Sequence, residues 1–293
     1  MRFPQYYVKA QRPVVSFEVF PPKDEAGFER LKATLPDLLA LKPDFMTCTY
    51  GAGGSTRDKT IQIASFIQTT HGMVTGCHLT CVGSSRAQLE EILDQIHAAG
   101  VRNIVALRGD PPQGAAKFTP APDGLAYASE LVAFIRAWEK RRGHEPLGLA
   151  VGGYPEKHFD APDIATDLVN LKRKVEVGSD VIITQLFFDN ADYYRFVARA
   201  RAMGITAPIV AGLLPVLSAK QIKRIAGLCG CRIPEALQKE LDTAGDDDTK
   251  AEAIGVRWCR AQVMDLLCQG VQGLHFYVLN RATHVEKILD GLR

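Results

Sequence analysis

The chain has 293 residues, with 35 lysines and arginines against 33 aspartates and glutamates, giving a formal charge of +2. This balance argues against nucleic-acid binding, because there is no excess of cations to displace counterions from many phosphates. Hydrophobic residues make up 46% and charged residues 23%, proportions typical of a globular protein. The sequence contains no run of about 18 uncharged apolar residues, so neither a membrane span nor a membrane partner is predicted.

Cysteine usage and the N-terminal segment indicate the compartment. The seven cysteines are odd in number, and Cys48, Cys77, Cys81 and Cys268 lie within apolar runs. Free thiols in a reducing compartment are therefore predicted rather than a disulfide framework. Residues 1–11 lack the apolar core of a secretory signal. We expect a cytoplasmic protein.

Strand-like runs alternate with amphipathic helical segments along the whole chain. Apolar residues recur at helical spacing at Leu89, Ile92, Leu93 and Ile96, for example. The predicted strands, rich in β-branched and aromatic residues, are residues 14–20, 45–50, 74–81, 103–108, 147–154, 181–187, 209–214 and 273–279.

Eight strands separated by helices predict an α/β fold, a single (β/α)8 TIM barrel with parallel strands and surrounding helices. The alternative is a doubly wound open sheet, which should carry a glycine-rich fingerprint after its first strand. That position holds Pro21, Pro22 and Lys23 instead. We predict one catalytic barrel domain over residues 1–293, with residues 1–12 as an N-terminal extension. The acidic run at residues 246–248 is either a metal site or a helix start, and the helix start is favoured.

Chemistry in such barrels lies at the C-terminal strand ends. Glu18 shares a face of the first strand with Ser16, and its aromatic surroundings predict a pKa raised toward that of a general acid. Pairing with a neighbouring cation is the structural alternative. Arg108 and Asp110 end the fourth strand, either as a salt bridge or as a site where the carboxylate accepts two hydrogen bonds from a pterin-like edge.

Other polar residues on the strands leave more than one interpretation open. Gln185 needs hydrogen-bond partners in an apolar strand, while His78 and His275 could be ordinary core residues. Cys77 and Cys81 form a CxxxC motif, but they point to the opposite side of the strand from His78, so no metal site is predicted. The glycine-rich loop after the second strand and the basic run at residues 172–174 suit either a phosphate-bearing ligand or plain helix termini.

Several motifs together closely resemble the methylenetetrahydrofolate reductase family in its bacterial, catalytic-domain-only type. The resemblance runs in the family's order from about residue 14 to the C-terminus. The motifs are VSFEVFPPK (15–23), TYGAGGSTRDKT (49–60), CHLTC (77–81), IVALRGDPP (104–112), DLVNLKRKV (167–175), ITQLFFD (183–189), LLPV (213–216) and HFYVLNR (275–281).

The resemblance implies an FAD-dependent enzyme that reduces 5,10-methylenetetrahydrofolate to 5-methyltetrahydrofolate with NADH or NADPH. The implied order is ping-pong, with hydride passing through the flavin N5, and the product supplies methyl groups for methionine synthesis. A homo-oligomer is also implied. Two alternatives remain: a flavin-free barrel lyase or aldolase using Glu18 and Asp110 as acid and base, and a non-catalytic folate-binding protein.

The matched motifs also imply roles for individual residues. Glu18 and Asp110 are implied as catalytic residues, Glu18 being the general acid. One departure is Ile225, at a position where some members carry an aromatic that stacks on folate or nicotinamide. For folate, the implied residues are Glu18, Asp110, Gln185, Gln221, Tyr277 and Arg281, with Lys220, Lys223, Arg224 and Arg281 as candidates for a polyglutamate tail. For FAD they are Thr49, Tyr50, Ala52, His78, Arg108, Gly109, Asp110, Tyr127, Ala128, Tyr154, His158, Asp167, Asn170, Arg173 and Lys174.

Overall fold

The computed structural model describes residues 1–8, 10–50, 57–111 and 118–292. Within these residues, eight parallel strands form a closed barrel in the order in which they occur along the chain, and the eighth strand pairs with the first. Helices surround the barrel and cross over between successive strands, as parallel pairing requires. The predicted (β/α)8 barrel is confirmed.

The strands are β1 (Val14–Val19), β2 (Phe45–Cys48), β3 (Thr75–Thr80), β4 (Asn103–Leu107), β5 (Gly148–Gly153), β6 (Val181–Thr184), β7 (Ile209–Leu213) and β8 (Gly273–Tyr277). The helices are α1 (Phe3–Val8), α2 (Glu25–Ala40), α3 (Arg57–His71), α4 (Arg86–Ala98), α5 (Ala128–Arg142), α6 (Ile164–Glu176), α7 (Asn190–Ala202), α8 (Ala219–Cys229), α9 (Glu235–Ala244), α10 (Asp248–Cys268) and α11 (Thr283–Leu289).

The observed strands end one to three residues before the predicted limits, and β6 shows the reason. Its prediction extended to residue 187, but the strand ends at Thr184. The Gln185 N–H still donates to the Gly153 carbonyl at 2.7 Å. The next N–H, of Leu186, is taken by the Gln185 side-chain oxygen at 2.9 Å. A side chain therefore replaces the neighbouring strand as the acceptor, and the chain turns into the loop above the barrel.

Side-chain alternation divides the barrel into an outer and an inner layer. Phe17 and Val19 of β1 point outward and join the main core between strands and helices. Ser16 and Glu18 point inward, as predicted. The inner layer near the N-terminal strand ends is apolar and includes Phe45. Ser16 and Glu18 lie above this apolar layer, toward the C-terminal strand ends.

Helix α1 closes the N-terminal end of the barrel. Phe3 is completely buried, and its ring centroid lies 4.6 Å from that of Phe45. Asn103, the first residue of β4, accepts from the Phe3 N–H at 2.7 Å and donates to the Met1 carbonyl at 3.1 Å. Residues of the predicted N-terminal extension therefore form the floor of the barrel.

A second apolar core lies outside the barrel, over its C-terminal end. It packs α8, α9 and the start of α10 together through residues such as Ile222, Leu237 and Ile254. We call residues 219–254 the cap. Asp247 is the N-cap of α10 and accepts from the N–H groups of Thr249 and Lys250, both at 3.1 Å. The helix start predicted for residues 246–248 is confirmed.

Gly212 is the barrel glycine at which adding one methyl group is expected to destabilise the fold most. A Cβ at this position would lie 2.1 Å from the Thr184 carbonyl oxygen, a backbone atom that cannot move aside alone. We expect Gly212→Ala to lower the free energy of unfolding by about 3 kcal/mol, since overpacking displaces backbone. The control is Gly227→Ala in α8, where a Cβ would meet no atom within 4 Å and should be neutral or stabilising. Urea unfolding checks both variants, and equal midpoints would contradict this account.

Candidate active site

A cavity of about 630 Å³ opens at the C-terminal ends of the strands, in the size range of small-molecule sites. Its walls come from strand ends and following loops on several sides of the barrel, together with the cap. The cavity brings together many of the residues singled out from the sequence. Those lining it are Glu18, Thr49, Tyr50, His78, Arg108, Gly109, Asp110, Tyr154, His158, Gln185, Arg224, Ile225 and Tyr277.

Four inward residues form what we call the proton cluster: Ser16, Glu18, His78 and His275. The Glu18 Oε2 lies 3.0 Å from the His78 Nε2 and 3.2 Å from the His275 Nε2, and only 5% of Glu18 is exposed. The Nδ1 of His275 lies 2.8 Å from the Ser16 hydroxyl. The carboxyl group is therefore held between two imidazoles at the floor of the cavity.

The expectation of a raised pKa for Glu18 is wrong. Burial pushes its pKa upward, but the positive charge of His78 and hydrogen bonds from His275 and His78 outweigh burial and lower it to about 2. The aromatic neighbours of Glu18 are visible in the sequence, whereas the two imidazoles beside one carboxyl oxygen come from β3 and β8 and meet it only in the fold. Glu18 is therefore ionised at neutral pH, with two imidazole nitrogens close to one of its carboxyl oxygens.

Arg108 and Asp110 both line the cavity but do not pair with each other. Arg108 forms its ion pair with Asp160 at 2.7 Å, and Asp110 is exposed at the mouth. Gly109 between them has φ +90°, and a Cβ there would lie about 3 Å from Thr80 and Val82 side-chain atoms. Glycine is required here, and its missing side chain leaves the wall of the cavity open.

A partly buried cation, Lys174, lies beside the cavity on α6. Lys174 donates to the Gly152 carbonyl, and its Nζ lies 5.7 Å from the centre of the Tyr154 ring. Burial lowers the pKa of Lys174 to about 8, although Asp167 opposes the shift. Asp167 also accepts from the His158 N–H at 3.0 Å, which ties α6 to the loop after β5. These contacts link the residues predicted to hold the cofactor, from Tyr154 and His158 after β5 to Asp167 and Lys174 on α6.

The predicted folate residues lie mainly on the other side of the barrel. The Tyr277 hydroxyl donates to the Thr184 carbonyl at 2.8 Å, and burial raises its pKa well above the ordinary value. Gln185 faces the cavity. Gln221, in the first turn of α8, accepts from the Leu217 N–H at 3.0 Å, and Arg281 is exposed after β8. Neither of these two lines the cavity.

The remaining predicted residues lie farther out. Tyr127 and Ala128 begin α5, where Tyr127 is exposed. On α6, an Arg173 guanidinium nitrogen lies 3.4 Å from the Asn170 side-chain oxygen. Lys223 lies 3.7 Å from Asp242, and Lys220 is exposed at the start of α8. The prediction for Ala52 lies outside the described residues.

Some residues of the site escaped the sequence analysis. Thr80 and Cys229 line the cavity, and neither was named as a site residue from the sequence. Strand parity carries the missing signal for Thr80, because it follows His78 by two residues on the same face of β3. Cys229 carries no such signal, since its position depends on how the cap packs over the barrel. Among the described residues, no group of three or more His, Cys, Asp and Glu could hold a metal ion.

The chain is similar in sequence to known methylenetetrahydrofolate reductases. A profile of the family described as methylenetetrahydrofolate reductase matches residues 4–293. The 5,10-methylenetetrahydrofolate reductase of Pectobacterium carotovorum subsp. carotovorum is 39% identical over 268 residues, covering 92% of this chain and 86% of that protein. Methylenetetrahydrofolate reductase (NADH) 1 of Arabidopsis thaliana is 39% identical over 286 residues, covering 94% of this chain and 47% of that protein. The chain spans about half the length of such plant relatives.

Solved structures show the same architecture at low sequence identity. An uncharacterized protein from Clostridium thermocellum, described as binding two copies of 5-methyl-5,6,7,8-tetrahydrofolic acid, superposes with a TM-score of 0.62. It is 14% identical, and the match covers 98% of this chain and 96% of that one. At this identity the likeness establishes the fold alone. No helix among the described residues has both the length and the apolar composition needed to cross a membrane.

Proposed function

Because the chain belongs to the methylenetetrahydrofolate reductase family, we propose that it reduces 5,10-methylenetetrahydrofolate to 5-methyltetrahydrofolate with electrons from NADH or NADPH, using FAD. The product would supply methyl groups for methionine synthesis. The observation that carries the proposal is the buried carboxyl of Glu18 at a strand end, held between two imidazoles and facing a cavity large enough for a flat ring system.

The described residues fit FAD. Lys174 offers a partly buried cation for a diphosphate, and Gly109 leaves the wall open to close approach. The Thr80 hydroxyl is buried without a hydrogen bond among the described residues, as expected for a group that meets a ligand. When bound, FAD would supply a hydride carrier that serves the nicotinamide and the folate in turn, which is the ping-pong order.

The proton cluster accounts for the other half of the chemistry. Opening the five-membered ring of the folate requires a proton on one ring nitrogen. Glu18 and His78 both line the cavity, and the Nε2 atoms of His78 and His275 lie 3.0 and 3.2 Å from the Glu18 Oε2. Glu18 would pass a proton to this nitrogen and would be reprotonated through the neighbouring imidazoles. Ser16 fixes the ring of His275 through the 2.8 Å contact.

The test is a visible spectrum of the purified protein under anaerobic conditions. We expect a yellow protein whose flavin absorption bleaches when NADH or NADPH is added and returns when methylenetetrahydrofolate follows. The control is the same titration with tetrahydrofolate, which carries no one-carbon unit to accept the hydride. A colourless protein that turns over a folate would favour the lyase alternative. Tight folate binding without oxidation of the nicotinamide would favour the binding protein.

A further inference from the structure

Thr80 is a buried hydroxyl in the cavity that nothing within the described protein satisfies. It is the last residue of β3, it is 6% exposed, and it lines the cavity. Its Oγ1 has no hydrogen-bond partner among the described residues. A buried polar group normally has a partner, so this hydroxyl is available to a ligand bound in the cavity.

Other inward hydroxyls of the barrel are satisfied internally. The Ser16 hydroxyl contacts the His275 Nδ1 at 2.8 Å, and Thr47 contacts the Glu18 carboxyl at 3.5 Å. Thr184 accepts from the Gly212 N–H at 2.9 Å. A valine would have the same shape as Thr80 without the cost of desolvating a hydroxyl. Packing in the barrel therefore does not explain a threonine at this position.

The position of Thr80 indicates which ligand of the proposed reaction, FAD or the folate, its hydroxyl would contact. It lies in register with Leu107 of β4, and a Cβ on Gly109 would lie 3.0 Å from its Cβ. His78 lies on β3, and Arg108 and Gly109 follow β4; all three are implied in cofactor binding. Of the folate candidates, Gln185 follows β6 and Tyr277 ends β8, across the barrel, whereas Asp110, which is implied in both sites, follows β4.

We infer that the Thr80 hydroxyl forms a hydrogen bond with the ring system of bound FAD and is a cofactor-binding residue of this enzyme. The inference rests on the proposed function, since it takes FAD as the cofactor. Its contribution is to affinity, because the buried hydroxyl gains a partner only when the flavin is bound.

The experiment compares Thr80→Val, Thr80→Ser and Ser179→Ala, measuring unfolding of each apoprotein in urea and FAD affinity by titration of flavin fluorescence. Ser179 is the matched control, because its hydroxyl is also buried without a partner but precedes β6, at the opposite end of the barrel. We expect Thr80→Val to keep or raise apoprotein stability while its FAD dissociation constant rises about tenfold. Thr80→Ser and Ser179→Ala should stay within about twofold of the unchanged protein.

Two results would overturn the inference: Thr80→Val binding FAD as well as the unchanged protein, or Thr80→Ser binding as weakly as Thr80→Val. The second result would make the side chain's shape, not its hydroxyl, the determinant. If Thr80→Val does not fold, Thr80→Ala is compared with Thr80→Ser under the same criteria. If the unchanged protein does not bind FAD, the proposed function fails along with the inference, and this outcome is distinct from the other two.

Discussion

Glu18→Gln is expected to retain reduction of the bound flavin by NADH or NADPH while slowing reoxidation by methylenetetrahydrofolate by about 10²–10⁴-fold. General acid–base groups typically contribute a factor of this size. The selectivity follows from the chemistry, because only the folate half-reaction needs a proton on a ring nitrogen. The amide of Gln keeps the size of the side chain but cannot carry a proton from the imidazoles to the substrate. Anaerobic stopped-flow spectroscopy measures the two half-reactions separately.

The stability of this variant must be known before its rates are compared. The pKa of Glu18 is lowered from 4.5 to about 2 in the folded state, where burial is outweighed by His78 and His275. The ionised carboxylate therefore stabilises the fold above pH 4.5, and this contribution is lost as the pH falls toward 2. Glu18→Gln loses the contribution at neutral pH, so urea unfolding sets the conditions for the kinetics. Equal slowing of both half-reactions in folded protein would make Glu18 a structural residue.

Regular alternation is the reason that much of this molecule could be predicted. The eight strands are rich in β-branched and aromatic residues, and period-two parity placed Glu18 and Ser16 on the inner face. The same parity separated His78 from Cys77, which lies in the outer core. These features depend on residues close together in the chain, so the sequence displays them directly.

The features that escaped prediction depend on pairs far apart in the chain. Glu18 and His275 are 257 residues apart, and only closure of β8 onto β1 brings them together. Arg108 pairs with Asp160 rather than with Asp110, its neighbour in sequence. The cap is a further case, since its position over the mouth comes from a separate core. Local patterns located the residues of the site but not the charges around them.

Lys174→Met is expected to weaken FAD binding by about 10–100-fold, the range for losing a hydrogen bond to a charged group at about 1.5–3 kcal/mol. Lys174 lies partly buried beside Tyr154 and is the cation proposed to face the diphosphate. Lys172→Met on the same helix is the control, because Lys172 pairs with Glu176 near the surface, at 3.7 Å. Titration of each apoprotein with FAD measures the change.

The pH dependence provides a second and independent test of the same lysine. Burial lowers the pKa of Lys174 from 10.5 to about 8, so the folded apoprotein releases this proton more readily than the unfolded chain does. The contribution of Lys174 to apoprotein stability therefore increases as the pH rises from about 8 to 10.5. An anionic diphosphate favours the protonated form, so FAD affinity should fall as the pH rises above about 8. Lys174→Met should abolish both dependences, whereas Lys172→Met should keep both. If Lys174→Met retains the fall in affinity above pH 8, another group carries the titration and Lys174 does not face the diphosphate.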